Sequence, residues 1–145
     1  MLKNKEGYKK MSIVEKIKNI PSLYHLKGCT DSQIEEAQKE LNLKFPAEYI
    51  EYVKAYGAIS FCGSEWTGLN VDGYLNVVET TKEEKDMNKD FPNDCFVLEN
   101  WGFERLLTIV NEKGNVFTIQ PGNSPVFICD SLSEYVDICI KRNDY

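Results

Sequence analysis

The chain has 145 residues, 42% hydrophobic and 12% aromatic, which suffices for one domain with its own core and is too apolar for a disordered segment. Its formal net charge of −6 conceals an asymmetry, because residues 1–28 carry +5 and residues 29–145 carry −11. That balance disfavours nucleic acid and anionic membrane as direct ligands, and no apolar run approaches the roughly 20 residues that span a bilayer.

In chain order, residues 1–11 are basic and lack apolar periodicity, so they read as a flexible arm ahead of a domain over 12–145. They also lack the apolar centre of a signal peptide, which implies the cytoplasm. Ser12-x-x-Glu15 is a capping box opening a first helix with Ile13, Ile17 and Ile20 on one face, and Pro21 ends it. Thr30-x-x-Gln33 opens a second helix with Ile34, Ala37 and Leu41 inward. Pro46 in the first turn opens a third, which places Tyr49, Ile50, Val53 and Tyr56 on one face and stops at Gly57.

The period then changes. Residues 58–61, 75–79, 96–99, 106–110, 116–119 and 126–129 are short, apolar and rich in β-branched or aromatic residues, as strands are. A hairpin loop is expected at 111–115 and a turn at Pro121-Gly122-Asn123. Thr81-x-x-Glu84 predicts a short, charged, exposed helix over 81–89. Ser131-x-x-Glu134 caps a last helix with Leu132, Tyr135, Val136, Cys139 and Ile140 inward, and Lys141 and Arg142 suit its C-terminal dipole. The expected fold is α+β, one domain: a mostly antiparallel sheet of about six strands packed by N-terminal helices and one C-terminal helix.

Catalytic signatures are scarce. The five cysteines lie at least ten residues apart, which excludes CxxC spacings and suits buried small side chains. A single histidine, His25, excludes two-histidine chemistry, and a Cys29–His25 pair lacks a cationic setting. GxGxxG, Walker A and GxSxG are absent. The carboxylates Glu35, Glu36, Glu83, Glu84 and Asp86 crowd helix faces among lysines, as on a solvated surface. No catalytic residue, metal or cofactor is expected.

Binding chemistry is better represented. Residues 65–104 hold ten acidic residues against three lysines, a net of −7. Within them, Glu65-Trp66, Asp72-Gly73-Tyr74 and Trp101 flanked by Glu99 and Glu104 combine aromatic anchors with carboxylates that would steer a cationic protein. These seven residues are the predicted contact set, although for either tryptophan alone a place in the core is slightly the better reading.

Several phrases resemble a known family. Leu41-Asn42-Leu43-Lys44-Phe45-Pro46 followed by Tyr49 and Tyr56-Gly57-Ala58 is similar to the leucine–small–phenylalanine–proline–tyrosine signature of the SUKH superfamily, the Smi/Knr-type domains. Glu65-Trp66-Thr67-Gly68-Leu69, Val77-Val78-Glu79-Thr80-Thr81, Asn115-Val116-Phe117 and Ser131-Leu132-Ser133-Glu134-Tyr135 follow in that family's order, over roughly residues 12–142. The charged 78–91 segment, Cys62, Cys95 and the basic arm have no counterpart. The resemblance implies an α+β, non-enzymatic immunity protein that binds and neutralises a cognate polymorphic toxin, a nuclease with RNase favoured, in the producer's cytoplasm. The alternative it carries is a scaffold domain like those of fungal cell-wall regulators.

Overall fold

The computed structural model describes residues 11–142, so the basic arm, apart from Met11, lies outside the described residues. Helix α1 (Ile13–Lys18) starts where the Ser12 hydroxyl accepts the Glu15 N–H at 3.1 Å. Helix α2 (Asp31–Leu41) carries the full reciprocal box, with Gln33 Oε1 accepting the Thr30 N–H and the Thr30 hydroxyl accepting the Gln33 N–H. Helix α3 (Ala47–Tyr56) follows Pro46, which sits at the N-cap itself, one position before the first turn. It ends at Gly57, whose φ is +74° and which packs so closely on the Lys27 backbone that an added Cβ would clash with that carbonyl. Tyr49, Tyr52, Val53 and Tyr56 form its buried face, while Ile50 is only half-buried.

Seven strands are present among the described residues, in two antiparallel sheets. The first contains β1 (Tyr24–His25), β2 (Ile59–Phe61) and β3 (Ser64–Trp66), in that order. The second is a meander of β4 (Cys95–Asn100), β5 (Leu107–Asn111), β6 (Val116–Ile119) and β7 (Val126–Cys129). Strands β2 and β3 join through Cys62 and Gly63, both with positive φ (48° and 79°), the geometry of a tight hairpin matched to strand twist. The 111–115 loop and the 121–123 turn fall where expected. The first is held by Asn111 Oδ1, which accepts the N–H groups of Lys113 and Asn115.

The strand expected at 75–79 does not form. Gly73–Leu75 is a single 3-10 turn, and helix α4 runs Val77–Met87. Asn76 Oδ1 accepts the N–H groups of Val78 and Glu79, a helix cap that outweighs the β-propensity of the two valines. Thr81, expected as a cap, is buried inside α4. The last helix, α5 (Leu132–Arg142), begins as predicted, with the Ser131 hydroxyl accepting the Glu134 N–H.

Thr67 joins the sheets. Its N–H donates to the Leu98 carbonyl at 2.7 Å, and its hydroxyl donates to the Val97 carbonyl at 2.8 Å. That hydroxyl proton is thereby used, so the buried Tyr49 hydroxyl, 3.0 Å away, is the donor to Thr67. From the helix side, Thr81 Oγ1 accepts the Val97 N–H at 3.0 Å. Two threonines thus satisfy both backbone groups of Val97, which would otherwise be buried unpaired. The main core lies between α1, α3, α5 and the inner sheet faces, with Trp66 fully buried in it. A second cluster around Phe91, Val97, Ile109 and Ile119 lies on the outer side of the meander. No helix among the described residues is long and apolar enough to cross a membrane.

Candidate functional site: an aromatic and acidic groove over a buried ion pair

Strand alternation decides what the first sheet shows to solvent. Ile59 pairs with Trp66 and Phe61 with Ser64, all buried, so the Ser60–Glu65 pair between them faces outward. Tyr24 pairs with Ser60 from β1 and is 66% exposed. Tyr74 reaches this row from the loop before α4, and its hydroxyl donates to Glu65 Oε1 at 2.8 Å. That bond, to the carboxylate that would repel a phenolate, raises the Tyr74 pKa, with slight burial adding to it. Asn100 and Trp101, leaving β4, complete a groove of about 500 Å3. Phe103 stands edge-on to Trp101 at 6.3 Å and is 54% exposed.

Beneath the groove lies a buried polar network that depends on a bulge in β4. Phe96 pairs with Val110 and Val97 with Ile109, but the register then slips, and Glu99 pairs with Thr108. The extra residue, Leu98, turns Glu99 from the outer to the inner face of the sheet. There Glu99 is 3% exposed, its Oε2 is 2.8 Å from Arg142 Nη2 and its Oε1 accepts the Tyr135 hydroxyl at 2.7 Å. A carboxylate only accepts, so the proton directions follow: Trp101 Nε1–H donates to Thr108, Thr108 to Tyr135, and Tyr135 to Glu99. Such an aligned chain polarises itself and strengthens each member. Burial first, then the Glu99 charge, holds the Tyr135 pKa far above that of a free tyrosine.

Arg142 closes the assembly. It also donates to Tyr135 and Ser64, and its guanidinium lies 4.1 Å from the centroid of the Trp101 ring. The 101–106 loop therefore has a fixed root although Gly102, Glu104 and Arg105 all have positive φ. Its far end is tied by Gln120, which donates to the Glu104 carbonyl at 3.2 Å, and by the Arg105–Glu84 contact at 3.5 Å.

The seven predicted contact residues therefore separate. Glu65, Tyr74 and Trp101 share the groove. Trp66 and Glu99 do not reach the surface: Trp66 is 0% exposed because β3 pairs it inward, and Glu99 is turned inward by the bulge. Asp72 belongs to a separate, larger depression of about 800 Å3 between α2 and α4, with Glu36, Glu40 and Glu79. Glu104 is exposed on the tied loop. Ser60, Tyr24 and Asn100 were not in the predicted set; the Ser60–Glu65 alternation was readable only once β3 was known to be a strand. The α2–α4 depression exceeds the groove in volume, but it has no aromatic lining, and aromatic anchors rather than volume mark contact surfaces.

The groups considered for catalysis lie elsewhere. His25 is exposed, with Nδ1 2.8 Å from the Leu26 carbonyl. Cys29 is buried, and burial raises its thiol pKa, as it does for Cys129; Cys139 is pushed up to about 11 and Cys95 to about 12. Among the described residues, no three or more His, Cys, Asp or Glu side chains are grouped to hold a metal ion.

Residues 11–141 match the model of the family described as "SUKH_5: SMI1-KNR4 cell-wall". A search of curated proteins found no match.

Proposed function

The chain belongs to the SMI1-KNR4 cell-wall family of the SUKH type, and from that premise we propose that it is a non-catalytic immunity protein of the producer's cytoplasm. It binds a cognate polymorphic toxin and occludes it, and the toxin is a nuclease, with RNase ahead of DNase. The observation that carries this reading is the exposed aromatic surface, Tyr24, Tyr74 and Phe103 around Glu65 and Trp101, on a chain of net charge −6. Exposed aromatics are the residues that anchor protein interfaces, and acidic surroundings draw in a partner whose active site must be cationic to hold phosphate. The burial that raises the thiol pKa values of Cys29, Cys95, Cys129 and Cys139 supports a role that does not use these four as nucleophiles.

The test is co-expression with the toxin domain encoded beside this gene. Growth should be restored, and the purified pair should form a 1:1 complex whose association rate falls as salt is added. Continued killing in the presence of soluble, folded immunity protein would reject the reading.

A further inference from the structure

We propose that the groove between Glu65, Tyr74 and Trp101 is a receptor for a cationic side chain, an arginine, projecting from the partner protein. This deepens the reading above by naming the chemistry of one contact. Two carboxylates, one beneath the groove and one lining it, have opposite fates. Beneath the groove, Glu99 is neutralised by Arg142 at 2.8 Å. In its lining, Glu65 is half-buried, one of its oxygens is held by the Tyr74 hydroxyl, and among the described residues it makes no ion pair.

A half-buried carboxylate whose described donor is a neutral hydroxyl has lost part of its hydration without gaining a counter-charge. An incoming guanidinium supplies the missing counter-charge and N–H donors in place of the lost water. The flanking groups select a planar cation. Tyr74 is 60% exposed and lines the space together with Trp101, whose ring already carries Arg142, so Tyr74 is the aromatic on which a guanidinium can stack while donating to Glu65. The chain already shows this pairing once, in the Arg142 guanidinium 4.1 Å over Trp101 and bonded to Glu99. The volume of about 500 Å3 admits an arginine side chain and is too small for a folded segment. Gly63 and Gly102 at its rim add no side chain to block entry.

The reporter is built in. Trp66 is fully buried, so emission changes from a small added ligand come from Trp101. Acetyl-Gly-Arg-Gly-amide should shift the emission saturably, with a Kd of roughly a millimolar, whereas the citrulline peptide, of the same shape without the charge, should not. Glu65→Gln should weaken the arginine peptide about fivefold, and Asp72→Asn, in the other depression, should leave it unchanged. An equal response to citrulline, an unaffected E65Q protein, or an equal loss in Asp72→Asn would overturn the assignment. The wild-type peptide comparison stands even if a variant misfolds. No toxin enters this assay, so its failure leaves the immunity reading intact, and failure of toxin protection leaves the groove assignment intact.

Discussion

Arg142→Met tests whether the buried network supports the surface above it. Methionine keeps a long apolar stem against Trp101 and removes only the guanidinium. Glu99, with a side chain 4% exposed, would then lose its buried counter-charge and be left with Tyr135 as its remaining described donor. Breaking a buried pair from one side costs about 3–5 kcal/mol, because the surviving charge is left unsolvated. The Arg142 side chain is 20% exposed, so water can follow it out, which sets the expectation near the lower end, at about 3 kcal/mol. Adding Glu99→Gln should recover much of this loss, since the double variant carries no buried charge. Urea denaturation with an unchanged slope measures each corner of the cycle. A single Arg142→Met variant within about 1 kcal/mol of wild type, or a double variant less stable than either single one, would refute the reasoning.

Other outcomes follow from the same geometry. Cys139 is raised to about 11 and Cys95 to about 12, from 9.0, and the buried Tyr49, Tyr52 and Tyr135 are raised from 10.0. Raised pKa values mean that the folded state favours the protonated forms. Their stabilisation is complete below about pH 9 and fades as pH climbs toward 12, so urea midpoints should hold from pH 7 to 8.5 and drop by pH 10.5; a flat profile would contradict this. Trp101→Phe should leave only blue-shifted emission that acrylamide barely quenches, because Trp66 is buried. Gly68→Ala should destabilise by about 1–3 kcal/mol or more, since its Cβ would clash with the Gly57 carbonyl. In the melt, the same change at Gly102, which has nothing within 4 Å, should cost only about 1–2 kcal/mol for its φ of +84°. Charge reversal at Glu65, Asp72 and Glu104 together should weaken toxin protection without unfolding, with Glu65→Lys alone carrying most of the effect and Asp72→Lys little.

The helices were legible because their starts are local: Ser12, Thr30 and Ser131 each place a hydroxyl three residues before the N–H it accepts. The error at 75–79 is also local, since Leu75, Val77 and Val78 look like a strand until the Asn76 amide is seen capping two N–H groups. Strands β1 and β3 are two and three residues long, too short for any period to register. The site was half legible. Trp66 and Trp101 each stand near a glutamate in sequence, and only strand register distinguishes the core residue from the surface one. Glu99 was beyond reach, because a one-residue bulge is a property of the paired strands and leaves no pattern in a single one. Arg142 was read as a partner for the helix dipole, and its contact with Glu99, 43 residues distant, is purely tertiary.

The position of Arg142 also bears on when the groove can work. Its walls come from residues 60–65, 74 and 100–102, yet the side chain that holds Trp101 is at 142. During synthesis the N-terminal part of a chain emerges first, so the walls leave the ribosome well before their clasp. A nascent chain stalled short of position 142 would have the hairpin and the groove-lining rings but neither a complete α5 nor the guanidinium that packs on Trp101. The groove is therefore complete only once residue 142 has joined the fold, so the order of synthesis separates the making of its walls from the fixing of Trp101.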